Sequence, residues 1–253
     1  YSIGFKSGGL NGRATQVPNF VVYDDSEITS FEVGVKSDLM DNRLRLNFAA
    51  FYQELDDWQV QVNSIDPNTF TFLTRIENAA GATMNGAELE ATLVVTDAFQ
   101  LSGTLGWLDP EYDTYLSQDF TTLEFIDVAD LYNFQFSPEW TSSITARYEA
   151  PLGELGILLA RVDWSYVDNQ YFQVVPSPLI EGDSYTLLDA RLELREMFDS
   201  RLTLSLWGKN LGDEEYRTGG FDVPTFGINP PDGLFTNSWA NTRTWGVDLR
   251  YDF

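Results

Sequence analysis

The residues best equipped for chemistry in this chain are carboxylates, and they cluster. Between Asp109 and Glu139 stand Asp109, Glu111, Asp113, Asp119, Glu124, Asp127, Asp130 and Glu139, with no Lys or Arg among them. Asp109, Glu111 and Asp113 offer oxygen ligands to a hard cation, but the stretch lacks the glycine and the distal glutamate of a calcium loop. Such a segment can attract cationic ligands or bridge divalent ions at a lipopolysaccharide surface; the plainer reading is a solvated loop kept soluble by its charge. Catalysis has little to work with. The 253 residues include no histidine and no cysteine, which removes the commonest general base, thiolate nucleophiles, thiolate metal sites and disulfides. Carboxylate pairs with no nucleophile motif beside them earn no catalytic role, so the chain does not read as an enzyme and implies no cofactor.

Charge and hydropathy narrow the class further. A formal charge of -24 repels phosphate backbones, which excludes nucleic acid as a partner. No stretch approaches the ~18 consecutive apolar residues of a transmembrane helix; the best local run is Leu155-Gly-Ile-Leu-Leu-Ala160. The opening Tyr1-Ser-Ile-Gly-Phe has neither an initiating Met nor a charged segment leading into an apolar one, so it reads as the interior of a longer chain.

The positioning elements are strands. Leu44, Leu46, Phe48, Ala50 and Tyr52 alternate with polar residues, as do Leu89, Ala91, Leu93 and Val95, then Phe99, Leu101, Leu105 and Trp107. Ile144, Ala146 and Tyr148 repeat the pattern, followed by Val162, Trp164 and Tyr166, by Leu188, Ala190, Leu192 and Leu194, and by Leu202, Leu204 and Leu206. The last stretch runs Trp245, Val247, Leu249, Tyr251 and Phe253. Ten strands are predicted near 1–5, 28–39, 43–55, 84–95, 99–108, 140–149, 155–167, 184–195, 201–210 and 243–253.

Their connections alternate between long (through Gly8-Gly9, Pro67, Pro110, Pro176 and Pro230-Pro231) and short (at Asp41-Asn42, Thr96-Asp97, Pro151-Gly153 and Phe198-Asp199), with every proline in a connection. A soluble meander has no reason to keep that asymmetry. An outer-membrane barrel does, with short periplasmic turns and long extracellular loops, and strands of about ten residues match the hydrocarbon thickness. The polar parity then faces the lumen through Arg43, Arg45, Glu88, Glu90, Arg161, Asp189, Arg191 and Arg250. Tyr52, Trp58, Trp107, Trp140 and Trp164 would form an aromatic belt at the long-loop level, and Phe99, Tyr148, Tyr251 and Phe253 one at the short-turn level. Trp207 departs from this, pointing inward by parity.

Five blocks now resemble one family, the TonB-dependent outer-membrane receptors. Gly4-Phe-Lys-Ser-Gly-Gly-Leu-Asn-Gly12 is similar to its GFKSGGFN segment, and Phe31-Glu-Val-Gly-Val-Lys36 to its YEVGVKS strand. Asn78 to Glu90 resembles its NAG-A-x-x-x-GVELE block, with Gly81 and Gly86 read as helping the chain pass from a loop into the ladder. Lys209 to Tyr216 resembles the NLFDKxY block, with Gly212 where the family usually has Phe. The ending from Thr242 resembles PRTWGVSLRYRF, with Gly246 leaving room beside Trp245.

The resemblance implies an all-β antiparallel meander, part of a transmembrane barrel of 22 strands, of which residues 1–253 would be about the last ten. The plug domain and N-terminal strands lie outside it. It further implies an active importer of a scarce substrate (an iron–siderophore-like chelate, cobalamin or an oligosaccharide) in the outer membrane of a Gram-negative bacterium. Its partners would be the plug domain of the same full-length chain, the TonB complex, outer-membrane lipid and lipopolysaccharide, and the barrel-assembly machinery. Thr244, Gly246, Leu249, Tyr251 and Phe253 fit the terminal signal that this machinery reads. A passive porin-type channel shares the alternation and the terminal aromatic, and a soluble β-rich binding module is the third reading. Ten strands taken from a larger barrel should form an open, curved wall with no ladder partners at its edges.

Overall fold

The alternation is realised as one antiparallel sheet. In this computed structural model, which describes residues 1–11, 22–66, 70–223 and 234–252, ten strands form the wall in chain order. They are β1 (Ser2–Lys6), β2 (Ser26–Leu39), β3 (Leu44–Ile65), β4 (Phe72–Thr96), β5 (Phe99–Gln118), β6 (Trp140–Pro151), β7 (Ile157–Val167), β8 (Tyr185–Arg195), β9 (Leu202–Lys209) and β10 (Thr244–Tyr251). Each pairs with its neighbours in sequence, and β10 does not return to β1: the sheet is open. A three-residue strand, Phe125–Asp127, extends the far end of β5, and Arg217–Val223 pairs with Leu234–Trp239 as a hairpin outside the wall.

Three strands run well past the predicted ends. β3 continues to Ile65, β4 begins at Phe72 and β5 reaches Gln118, so the long connection expected through Pro67 is mostly a tall hairpin. In sequence the apolar parity is interrupted at Glu54 and Asp56; in the ladder a bulge between Leu55 and Trp58, with Asp57 at φ 52°, is undone between Trp58 and Gln59, so Gln59 to Ile65 pair with β4 in the register of the wall below. On the other side of β4 a bulge between Gly81 and Ala82 does shift the register, by one residue, against β5.

Pro110 lies inside β5, opposite Met84, and not in a connection as its residue type suggests. Just before it, the Leu108 N–H donates to Glu139 O at 2.9 Å on the β6 side. Two residues on, the proline nitrogen faces the same side, where β6 has already left, so no ladder bond is lost. Pro151 is the last residue of β6, and Pro138, Pro176 and Pro178 lie in connections; Pro18, Pro67, Pro224, Pro230 and Pro231 fall outside the described residues.

Gly81 and Gly86 both sit within β4. Gly86 has a packing reason: the Phe51 ring from β3 occupies the space a side chain would take.

The two faces differ as the alternation requires. Val33, Leu105, Ile144, Leu206, Val247 and Leu249 stay exposed on one face, Leu249 at 70%, and among the described residues no second sheet or helix covers them. Val60, Val62, Ala79, Ala80, Tyr115 and Val128 form the buried cluster, above the wall where the three tall strands emerge. Neighbouring residues of β5 should therefore respond oppositely to charge. Leu105→Arg places a cation on the apolar face and should cost up to about 2–4 kcal/mol in a bilayer, less toward the interface. Thr104→Arg faces Glu90 across the lumenal side and should stay within about 0.5 kcal/mol. Denaturant unfolding of the full-length protein in lipid vesicles compares them; equal costs would contradict the assignment of faces.

Candidate functional site: the lumenal wall and its cap

The polar face carries an ordered charge pattern. Strand register sets Arg147 opposite Arg161 and Arg161 opposite Arg191, a row of three cations that a sheet resists unless it is compensated. Compensation comes from two positions along each strand, where the side chain returns to the same face: Glu149 for Arg147, Asp163 for Arg161 at 2.7–2.9 Å, and Glu193 for Arg191 at 2.5 Å. Glu193 also receives Arg195 at 2.7 Å, and Asp163 accepts the Thr145 hydroxyl at 2.7 Å. Arg191 reaches Ser205 at 3.1 Å and lies 3.7 Å from Asp248, tying β8 to β9 and β10. Exposed pairs of this kind contribute roughly 0–1 kcal/mol each, so their main effect is to leave the wall almost self-neutralised.

Trp207 and Gly246 continue the arginine row across β9 and β10. The indole covers Gly246 so closely that an added Cβ would fall 2.6 Å from it. The glycine thus accommodates Trp207 from the neighbouring strand, where sequence reading assigned its room to Trp245.

The other nominated wall residues spread out. Arg45 pairs with Asp38 at 2.8 Å, Glu90 accepts Asn47 at 3.0 Å, Asp189 accepts the Asn210 N–H at 2.8 Å, and Arg250 meets Asp252 at 3.2 Å. Glu88 is exposed on the same face, whereas Arg43 sits in the β2–β3 turn, where it bonds Val95 O from the rim. Arg147, Asp163 and Glu193 share the polar parity but were not nominated, and Glu149 and Arg195 were missed; opposite charges two apart in a strand were the available signal.

Of the aromatic residues, Trp107 and Trp140 face each other across β5 and β6, with ring centroids 6.4 Å apart, and Phe99 stands opposite Tyr148 near the short turns. Tyr52 pairs with Phe31, Trp164 with Ile144 and Leu188, and Tyr251 with Leu202. Trp58 does not join them: past the bulge it packs against the buried cluster. Phe253 lies outside the described residues.

Three asparagines in the sequence blocks are anchors that periodicity could not reveal. Buried Asn11 both donates to and accepts from the Ile76 backbone, at 2.8 and 2.7 Å, pinning the end of the first segment onto β4. Asn78 bonds the backbones of Asp24, Asp25 and Asp57 beside the bulge. Buried Asn210 accepts from Glu214 N and donates to Glu214 O and Asn241 O, closing the connection that follows β9.

Above the wall, long connections pack into a cap. In the β5–β6 connection Phe134 stacks on Tyr112 at 4.2 Å, and Tyr132 meets Tyr115 at 4.8 Å. Burial pushes the Tyr115 phenol up, helped by the neighbouring Tyr112 and Tyr132. Asn133 and Phe136 donate to Val174 O and Tyr171 O of the β7–β8 connection, each at 2.9 Å. That connection bonds the outer hairpin through Ser177 to Asp222 at 2.7 Å and Arg217 to Glu181 O at 2.6 Å. A cleft of about 440 Å³ opens between the strand at Asp109, Glu111 and Tyr112 and the returning loop at Asp130 and Phe134, with Tyr171 at its edge. Residues 168–184 add Asp168, Glu181 and Asp183 to the eight carboxylates between Asp109 and Glu139, again with no Lys or Arg. The potential over this cap is negative; it concentrates cations and opposes polyanions.

Comparison with known proteins agrees with this geometry. The family described as TonB dependent receptor-like, beta-barrel matches residues 1–211. A curated relative, the probable TonB-dependent siderophore receptor PiuA of Acinetobacter baumannii, is 31% identical over 109 residues, covering 43% of this chain and 14% of its own length. Among solved structures, the ferric yersiniabactin uptake receptor FyuA of Yersinia pestis superposes over 100% of this chain and 34% of its own, with TM-score 0.74 and 21% identity. The ferripyoverdine receptor of Pseudomonas aeruginosa covers 92% of this chain and 28% of its own, with TM-score 0.62 and 16% identity. These likenesses show a shared fold, and the chain spans about a third or less of each relative.

The cap has a titratable latch in Asp127, whose carboxylate accepts the backbone N–H groups of Tyr115 at 2.9 Å and Ala129 at 3.1 Å. Those bonds hold it below the usual carboxylate range. A depressed carboxylate contributes stability that is present above the unfolded value and lost as pH falls through the folded one. Asp127→Ala should therefore raise protease cleavage within 119–139 severalfold at pH 7. The wild type should lose the same protection only in acid, below the ordinary carboxylate value; equal cleavage of both proteins at every pH would refute the latch.

Proposed function

Because the chain belongs to the TonB-dependent receptor β-barrel family, whose members are outer-membrane transporters and not enzymes, we propose that it forms the barrel wall of an importer for a ferric siderophore-like chelate. The observation that carries this reading is the wall itself, apolar on the lipid side and lined on the lumenal side by charges that already pair with one another. Such a lumen can hold a polar plug without stranding ions. The receptors it resembles in fold include two named for ferric yersiniabactin and for ferripyoverdine, and the curated relative is named as a siderophore receptor. In this reading residues 1–253 are the C-terminal part of the barrel. A plug domain elsewhere in the full-length chain closes the lumen, and the TonB complex supplies the energy. Cobalamin and oligosaccharide are the other cargoes in view.

Thr244, Gly246, Leu249 and Tyr251, together with Phe253, are proposed as the terminal signal for the barrel-assembly machinery. Within it Gly246 also has the packing role set by Trp207. Gly246→Val should cost roughly 1–3 kcal/mol through displacement of that ring, seen as a shifted tryptophan emission and a lower yield of folded receptor; unchanged emission would remove the packing role.

Transport is tested by expressing the full-length receptor in an iron-starved outer-membrane host without its own siderophore receptors. Growth on ferric chelates should be restored and should vanish when TonB is deleted. Chelate uptake that persists without TonB would indicate a passive channel, and rescue by cobalamin or glycans alone would reassign the cargo.

A further inference from the structure

The cap is held together by two joints of different make. Where the β5–β6 connection meets the β7–β8 connection, the bonds run backbone to backbone, from Asn133 to Val174 O and from Phe136 to Tyr171 O, and the Phe136 ring lies 5.6 Å from buried Phe172. Val174 and Tyr132 carry this joint onto the buried cluster. Where the β7–β8 connection meets the outer hairpin, every hydrogen bond among the described residues involves a side chain. Ser177 donates to Asp222, Arg217 to Glu181 O, Asn237 to Leu179 O at 3.1 Å, and the Asp222 N–H to the Gln173 side chain at 3.2 Å. Ile180, 1% exposed, seats on Gly220, where an added Cβ would fall 2.6 Å from it.

The second joint leaves polar groups over. Arg217 Nε and Asn237 Oδ1 are buried with no hydrogen-bond partner among the described residues, and such an atom favours any state that lets water reach it. Parting the hairpin from the connection hydrates both. Parting the first joint would instead break backbone pairs and uncover Phe172 and the cluster behind it.

A hinge lies at the base of the hairpin. Its root is fixed: Tyr216 stacks on Tyr185 at 3.9 Å, and the Tyr216 carbonyl accepts the Ala240 N–H at 3.0 Å. Just beyond the root the hairpin's register shifts between Arg217 and Gly219. A Cβ at Gly219 would meet nothing nearer than Ser238 at 4.0 Å, so packing does not demand a glycine there, and what the position keeps is backbone freedom.

We propose that this hairpin, Arg217–Val223 with Leu234–Trp239, is a lid. It swings about the bulge at Arg217 and Gly219, parts from the β7–β8 connection at Ile180, and leaves the β5–β6 and β7–β8 connections together as one body. The Ser177–Asp222 bond is the clip that sets the closed population. Resting on the importer reading, the open lid is the state that admits the chelate to the cap.

Pulsed electron-spin distance measurements on the full-length receptor in vesicles separate the two joints. Nitroxides at Leu131 and Phe221, both exposed, report the lid against the cap, and a pair at Leu131 and Val175 reports the first joint. The first pair should give two distances and the second pair one. Ser177→Ala should raise the longer-distance fraction of the first pair severalfold, whereas Thr236→Ala, on the hairpin face turned away from the joint, should leave it unchanged. An unaltered second pair shows that the cap stays folded in each variant. Oxidising Ser177→Cys with Asp222→Cys locks the lid, so chelate uptake should be lost and should return on reduction. One distance for both pairs, two for both, or an equal response to Ser177→Ala and Thr236→Ala would overturn the lid. Uptake indifferent to the disulfide would overturn its part in entry. Absence of uptake in the wild type would count against the importer reading alone, and the distances would still decide the lid.

Discussion

A backbone amide in hydrocarbon must be paired within the protein, because an unsatisfied group there costs several kcal/mol. This requirement governs the rest of the structure. It makes each strand of the wall lie beside its sequence neighbour, and once the ladder is in register each side chain has only two directions available. One direction meets acyl chains and takes Leu, Val, Ile and aromatic residues; the other meets water and carries the charges. A slip of one residue would exchange the two sets, so the alternating sequence and the register select each other.

Two departures from regularity follow the same logic. The bulges near Asp57 and Gly81 lie where the tall strands have risen above the regular wall, and there the chain begins to bury a small protein core against the cap. Pro110 occurs just where β5 loses its β6 partner, so the residue that lacks an N–H occupies a position with no acceptor to satisfy. Within the wall, the arginine row is tolerated because a strand brings every second residue back to the same face. The carboxylates two positions away fall beside the cations they balance.

Much of the wall was legible because lipid and water read the strand residue by residue. The short turns and the ten-strand order follow from the period-two pattern and the connection lengths alone. Less visible were features that depend on a neighbour's register. Nothing in the sequence places Trp207 over Gly246 or Phe51 over Gly86, since each contact joins two strands whose alignment is known only when the ladder is built. The upper half of β3 was lost because Glu54 and Asp56 interrupt the apolar positions, although Val60 and Val62 resume the parity of Leu44 to Tyr52. The asparagine anchors were legible only as members of resembling blocks; their physical reason, bonding backbone across distant segments, belongs to the folded state.

The central claim is that the apolar face of this wall meets acyl chains. Nitroxide scanning along β5, from Phe99 to Trp107 in the full-length receptor reconstituted in vesicles, tests it directly. The account predicts collision with hydrocarbon-dissolved oxygen at positions 99, 101, 103, 105 and 107, and with a water-soluble nickel complex at 100, 102, 104 and 106. Equal accessibility of both sets, or shielding of the odd positions from both reagents, would contradict it.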